Sequence, residues 1–87
     1  MREYAVVLRQ EALNFFSSPR VDTRIKRIIR EKIGLLTHHP YLGKPLVGKL
    51  HGYRRLAVSY YRIIYHVEEA RLVVDVIRIG LRRDIYD

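Results

Sequence analysis

The chain has 87 residues, of which 48% are hydrophobic, so it can form one small core and is too apolar for a disordered protein. Its 17 Lys and Arg residues outnumber 9 Asp and Glu residues, and the formal charge of +8 favours a polyanionic partner, either nucleic acid or an acidic protein segment. Cysteine is absent, which excludes disulfides and thiolate metal sites.

Metal, cofactor and membrane sites are not expected. The histidines lack the spacing of a helical HxxxH pair or a finger motif; they are His38, His39, His51 and His66. Residues 1–20 contain no continuous apolar stretch of the signal-peptide kind, and no run of 18 apolar residues is present. We therefore expect a cytoplasmic protein without a membrane partner.

The first half of the chain predicts one strand followed by two helices. Residues 4–8 are a short β-rich run, and residues 11–16 can form a helix that ends before Pro19. A second helix is predicted over 23–36, with an N-cap oxygen from Asp22 or Thr23. Its apolar residues recur at helical spacing and form one stripe: Ile25, Ile28, Ile29, Ile33 and Leu36.

The second half predicts a loop and three strands. Glycine and proline make 41–52 a loop with at most a short extended piece around 46–50. Strands follow at 53–58, 61–67 and 72–81, the first two joined by a tight connection at Ser59 and Tyr60. The order β-α-α-β-β-β predicts a single α+β domain over 1–87, with both helices on one face of a small, mainly antiparallel sheet.

Strand parity then predicts a basic open face on the side away from the helices, because alternate side chains leave opposite faces of a strand. One set, containing Leu56, Ile63, Tyr65, Ile77 and Ile79, is assigned to the helices. The opposite set contains Arg55, Ala57, Arg62, Val76, Arg78, Gly80 and Arg82, with His66 and Tyr86 nearby.

Three segments of the chain resemble the RelE/ParE superfamily of toxins from type II toxin-antitoxin modules. The likeness covers nearly the whole chain and rests on GKPLVGKLHGYRRL, YRIIY and VVDVIRIGLRRDIY in this order. The pair Tyr61 and Arg62, the segment 80–82 and a late tyrosine are more similar to the RelE branch than to the gyrase-inhibiting ParE branch. The resemblance implies a metal-independent, ribosome-dependent mRNA endoribonuclease (mRNA interferase) that inhibits translation.

The resemblance also implies site residues and partners. Arg62 would stabilise the phosphate, Arg82 would stabilise or protonate the leaving group, Arg55 would orient the 2′-OH, and Tyr86 would stack on a nucleotide. Further RNA contacts are expected from Lys44, Lys49, Arg54, Arg78 and Arg83, and His66 is an outside candidate for proton transfer. The implied partners are an acidic antitoxin, the ribosome with its mRNA, and operator DNA bound by the toxin-antitoxin complex.

Ala57 departs from the RelE pattern, which has a second basic residue two positions after Arg55. A one-residue slip of the alignment would make Arg54 and Leu56 the relevant pair and would not remove the departure. The alternatives are a ParE-like gyrase inhibitor without catalysis and a basic antitoxin-binding or nucleic-acid-binding module without toxicity. Structural roles also compete: Arg62 could pair with Asp75 or Glu68, Arg82 with Asp84 or the C-terminal carboxylate, and Tyr86 could pack on the sheet.

Overall fold

The computed structural model describes residues 2–84, which form a five-stranded mixed sheet with two helices packed against it. The strands are β1 (Ala5–Leu8), β2 (Lys44–Pro45), β3 (Arg54–Val58), β4 (Tyr61–Glu68) and β5 (Val73–Leu81), and the helices are α1 (Gln10–Ser17) and α2 (Thr23–Leu35). The spatial order of the strands is β1-β5-β4-β3-β2. Strand β1 runs parallel to β5, and the other three pairings are antiparallel. The predicted α+β class is confirmed, and the predicted helices and strands occur in the expected order, with the two-residue strand β2 added between α2 and β3.

The core lies between the helices and one face of the sheet. Ile63, Tyr65, Val74 and Val76 are fully buried there, and α2 contributes Ile29. The remaining members of the cluster come from both helices, from the strands and from the segments that flank them: Tyr4, Ala12, Phe15, Ile33, Leu36, Val58 and Ile79.

Helix α2 begins as predicted, because the Asp22 carboxylate accepts a hydrogen bond of 2.7 Å from the Arg24 backbone N–H. Its apolar stripe is narrower than predicted. Ile29 and Ile33 are buried, whereas Ile28 is 40% exposed. At 100° per residue, Ile28 lies at the margin of the stripe, so its side chain reaches solvent.

A β-bulge in β5 corrects the parity prediction for Val76. The residue pairs are Ile64 with Arg78 and Tyr65 with Val76, so Ile77 is an additional residue on β5. The extra residue reverses which parity faces the helices. Val76 is therefore in the core and not on the open face, where the sequence pattern placed it.

The loop before β3 is fixed by a close approach at Gly43. Its backbone N–H donates a 2.8 Å hydrogen bond to the buried Tyr65 hydroxyl. A Cβ atom at this position would lie 2.5 Å from the Arg55 carbonyl oxygen and 2.8 Å from that hydroxyl, so only glycine fits. The loop then adds β2 at the sheet edge, pairing Lys44 with Arg55. The extended piece expected at 46–50 is instead a 3₁₀ turn at Gly48–Leu50.

The Glu69 carboxylate connects the N-terminal segment to the loop. It accepts hydrogen bonds from the hydroxyls of Tyr4 and Tyr41 and from Arg2. The hydrogen bond from Tyr4, followed by the one from Tyr41, holds the pKa of Glu69 below its ordinary value. These three hydrogen bonds hold the N-terminal segment and the loop at Tyr41 next to Glu69, although the three are distant in sequence.

Candidate functional site

The open face carries a row of side chains across four strands. The register places Lys44, Arg55, Ile64 and Arg78 side by side on β2, β3, β4 and β5. Ile64 is only 4% exposed although it faces away from the helices. Its lateral neighbours are two arginines, whose aliphatic stems can cover an apolar side chain while the charged ends stay in water. Arg78 also donates from Nε to Glu11 of α1 at 2.7 Å.

The next row along the strands contains Ala57, Arg62 and Gly80. Arg62 thus lies between two residues without long side chains. Its Nη1 donates to the backbone carbonyls of Ser59 at 3.3 Å and Tyr61 at 3.0 Å. Its Nε is buried and has no hydrogen-bond partner within residues 2–84. An unsatisfied buried donor costs about 1–3 kcal/mol, and because this Nε has almost no exposed surface, an external acceptor reaches it only after the side chain moves.

The alternative ion pairs for Arg62 do not form. Asp75 binds Arg9, and Glu68 binds Arg71 at 3.0 Å. The register also separates Arg62 from His66 by four residues along β4, which is roughly 13 Å at the usual strand rise. His66 therefore lies at the other end of the open face from Arg62.

Arg82 lies at the hairpin end of the sheet, close to Arg62 in the strand register. Its backbone N–H donates to the Tyr60 carbonyl at 2.8 Å, which continues the β4–β5 pairing beyond Leu81. The side chains of Arg82 and Arg83 are exposed. Tyr86 lies outside the described residues, and so does the C-terminal carboxylate that was considered as a partner for Arg82.

Two of the other expected RNA-binding residues lie elsewhere. Arg54 pairs with Tyr65, a core residue, so it leaves β3 on the side opposite to Arg55. It donates to the Gly43 carbonyl at 2.7 Å and stacks 4.8 Å above the Tyr41 ring, which is a structural role. Lys49 is exposed in the 3₁₀ turn, outside the strand register that aligns the two rows. The register also places Arg55 and Ala57 on the open face, which agrees with the alignment to the RelE pattern that has no one-residue slip.

At the far end of the open face, Asp75 is the centre of an ion-pair network. Its carboxylate is only 5% exposed and accepts from Arg9 Nε at 2.7 Å and Arg9 Nη2 at 2.8 Å. His66 Nε2 is 3.4 Å from the same carboxylate, and the His66 ring stacks on Tyr53. The Arg9 hydrogen bonds hold the pKa of Asp75 below its ordinary value against the opposing effect of burial.

The same network contains the group of residues in the described chain that is best placed to hold a metal ion. Atoms of His66, Glu68 and Asp75 lie within 4.8 Å of one another. Both carboxylates, however, already carry arginine partners. The arrangement is that of a charge-paired cluster, in which an ion would compete with two guanidinium groups.

Chemically, the two rows favour electrostatic stabilisation of an anion. A guanidinium is always charged and offers a planar set of donors that suits phosphate, but it is a poor base. Sequence reasoning missed Tyr60, which is 80% exposed beside Arg82, and the pairing of Arg9 with Asp75. The first had a signal, an aromatic residue within a predicted tight turn. The second needed the parallel pairing of β1 with β5, which local pattern does not predict.

A family model described as the ParE toxin of the type II toxin-antitoxin system parDE matches residues 9–86. No curated protein gives a significant match to the sequence. No helix in the described part of the chain has the length and apolarity needed to span a bilayer.

Solved toxin structures share this fold. The toxin-antitoxin complex RelBE2 of Mycobacterium tuberculosis matches with a TM-score of 0.78 and 24% identity, over 92% of this chain and 99% of that chain. The YoeB/ParE toxin of Agrobacterium tumefaciens matches with a TM-score of 0.77 and 21% identity, over 90% of this chain and 98% of that chain. The intact RelBE toxin-antitoxin complex of E. coli matches with a TM-score of 0.74 and 18% identity, over 90% of this chain and 95% of that chain.

Proposed function

The chain belongs to the ParE toxin family of type II toxin-antitoxin systems, and so to the RelE/ParE superfamily, and on this premise we propose that it is a RelE-like toxin that cuts messenger RNA on the ribosome. The observation that carries the proposal is the pair of rows on the open face. They align Lys44, Arg55 and Arg78 beside Arg62 on adjacent strands. A cationic surface of this kind suits a phosphate backbone.

The proposed reaction is attack of an RNA 2′-oxygen on the adjacent phosphorus. A 2′-O–P bond forms and the P–O5′ bond breaks, which gives a cyclic phosphate and a free 5′-hydroxyl. The 2′-OH gives one proton to water and the 5′-oxygen takes one proton from water, so the number of protons is conserved. In the transition state negative charge grows on the non-bridging oxygens, where arginine hydrogen bonds stabilise it.

We assign the phosphate to Arg62, the leaving 5′-oxygen to Arg82 and the 2′-OH side to Arg55. Support for Arg62 is its place on the open face between Ala57 and Gly80, neither of which carries a long side chain that would compete for a phosphate. Support for Arg82 is its backbone pairing with Tyr60, which holds it at the same end of the sheet as Arg62. Arg55 faces the same side one row away. Tyr86 and the added cations Lys44, Lys49 and Arg83 keep their proposed role in RNA binding.

The proposed partners follow from charge and from the matched structures. A formal charge of +8 is suited to an acidic antitoxin, and two of the matched structures are toxin-antitoxin complexes. We propose that such an antitoxin covers the basic surface, that the free toxin enters the ribosome, and that the complex binds operator DNA.

A ParE-like gyrase inhibitor is the second candidate, and Ala57 is the observation that favours it. In the row of Arg62, a methyl group and a glycine stand where further cations could stabilise a transition state. Inhibition by binding would need no such stabilisation.

The test is induced expression of wild type, Arg62→Ala and Arg82→Ala in a bacterial host, with messenger RNA 5′ ends mapped on translating ribosomes. Arg27→Ala is the matched control, because Arg27 is an exposed cation on α2, on the helix side of the sheet. We expect codon-phased cuts with wild type and Arg27→Ala and loss of cuts with the other two. Growth arrest without cuts, together with loss of DNA supercoiling, would replace the ribonuclease by the gyrase inhibitor.

A further inference from the structure

Tyr60 is an aromatic residue at the tip of the β3–β4 connection and is 80% exposed. The turn is tight: Val58 pairs with Tyr61, and Ser59 adopts a positive φ of 55°. Tyr60 thus presents a ring to solvent on a short and well-defined turn. Its neighbour Tyr61, by contrast, packs edge-on against Phe15 with ring centroids 5.5 Å apart.

A groove borders the Tyr60 ring. Tyr60, Leu81, Arg82 and Arg83 line a space of about 400 Å³, within the size range of small-molecule sites. A second recess of about 170 Å³ shares Tyr60 and Leu81 and extends toward Ile25 of α2. The hydrogen bond from Arg82 N–H to the Tyr60 carbonyl fixes the two sides of the groove relative to each other.

We propose that this groove binds one unpaired RNA base, stacked on Tyr60, with Arg82 at the adjoining leaving 5′-oxygen. The inference rests on the proposed function and specifies how that site chooses its cutting position. An exposed aromatic face beside cations is the combination by which proteins hold single-stranded nucleic acid. A carboxylate of an acidic peptide would pair with the guanidinium groups but would leave the face of the Tyr60 ring uncovered, whereas a nucleotide uses both the cations and the ring.

The groove is adjacent to the phosphate-binding arginine. Arg62 donates to the Ser59 carbonyl, one residue before Tyr60. Leu81 pairs with Tyr61, so the groove opens on the helix side of the hairpin end, and RNA that occupies both the groove and Arg62 bends around that end of the sheet. Tyr60 accordingly acts as a positioning residue: stacking holds a base at one fixed place relative to the cut and adds a modest preference for the larger ring of a purine.

The experiment compares wild type with Tyr60→Leu and Tyr60→Phe. Leucine keeps the apolar bulk and removes the aromatic face, whereas phenylalanine keeps the face. Because Tyr60 is exposed, both variants should unfold at the wild-type temperature, which circular dichroism checks. On ribosomes we expect Tyr60→Leu to lower the cutting rate about tenfold and to flatten the base preference, while Tyr60→Phe stays close to wild type.

A binding measurement separates this inference from the proposed function. Purified full-length protein is mixed with a short single-stranded RNA that carries 2-aminopurine, whose fluorescence is quenched on stacking. Quenching by wild type and Tyr60→Phe, about tenfold weaker with Tyr60→Leu, supports the groove even if no variant cuts messenger RNA. Equal quenching by all three proteins would overturn the inference. An unchanged cut map together with weaker antitoxin binding by Tyr60→Leu would also overturn it, and would make the groove an antitoxin contact.

Discussion

Replacing Arg9 by methionine tests the ion-pair network at the far end of the open face. The substitution keeps most of the aliphatic stem and removes two hydrogen bonds, of 2.7 and 2.8 Å, from a carboxylate that is 5% exposed. Asp75 would then keep His66 as its remaining described partner, at 3.4 Å. A buried charge that loses its partner is more costly than the pair is favourable.

The magnitude follows from the exposure of the two partners. Hydrogen bonds to charged groups contribute about 1.5–3 kcal/mol each. Arg9 itself is 58% exposed, so water can replace part of what it supplies, and the expected loss is about 2 kcal/mol. In a domain of this size that corresponds to a decrease in Tm of about 10 °C.

Urea unfolding of wild type, Arg9→Met and the double variant Arg9→Met with Asp75→Asn measures this loss. We expect the double variant to recover at least half of it, because the unpaired charge is gone. Arg71→Met is the control: it removes a pair whose arginine is 73% exposed and should change stability by less than about 0.5 kcal/mol. A single variant as stable as wild type, or a double variant less stable than the single one, would refute the reasoning.

The remaining predictions concern pH and the Gly43 contact. Because the pKa of Asp75 is lowered in the folded state, its contribution to the free energy of unfolding is present at neutral pH and is lost as pH falls below about 4. When unfolding is measured in an acid titration, Asp75→Asn should therefore lose less stability than wild type. Gly43→Ala should lower the free energy of unfolding by about 2–3 kcal/mol, because its Cβ would meet backbone at 2.5 Å. Gly34→Ala in α2 should raise the free energy of unfolding by about 0.5–1 kcal/mol, because nothing lies within 4 Å of the added Cβ and alanine favours the helix. Tyr65→Phe should cost about 1–2 kcal/mol, since it leaves the buried Gly43 N–H without its acceptor, and an unchanged urea midpoint would contradict this.

The elements were predictable from sequence because their signals are local. The Asp22 cap and the buried positions Ile29 and Ile33 follow from helical spacing, and the Ser59–Tyr60 turn follows from its position between two β-rich runs. Period-two alternation also placed Arg55 and Arg62 on the open face. Each of these inferences uses neighbours within a few residues.

What could not be predicted depends on contacts between distant segments. The bulge at Ile77 arises from pairing β5 with β4, and it moved Val76 into the core. The role of Arg54 in binding the Gly43 carbonyl depends on where the loop folds. A strand pattern gives the parity of a side chain only as long as the strand has no extra residue.

The bulge also divides the open face into two segments that can change independently. Before Ile77, strand β5 carries Asp75, which holds the ion-pair network. After Ile77, β5 carries Arg78 and Gly80, which belong to the two arginine rows. A change of one residue in length before Ile77 would rotate the first segment, yet the pairing of Arg62 with Gly80 could persist. Substitutions in the arginine rows therefore act on a segment of β5 separate from the one that carries the Asp75 ion pair.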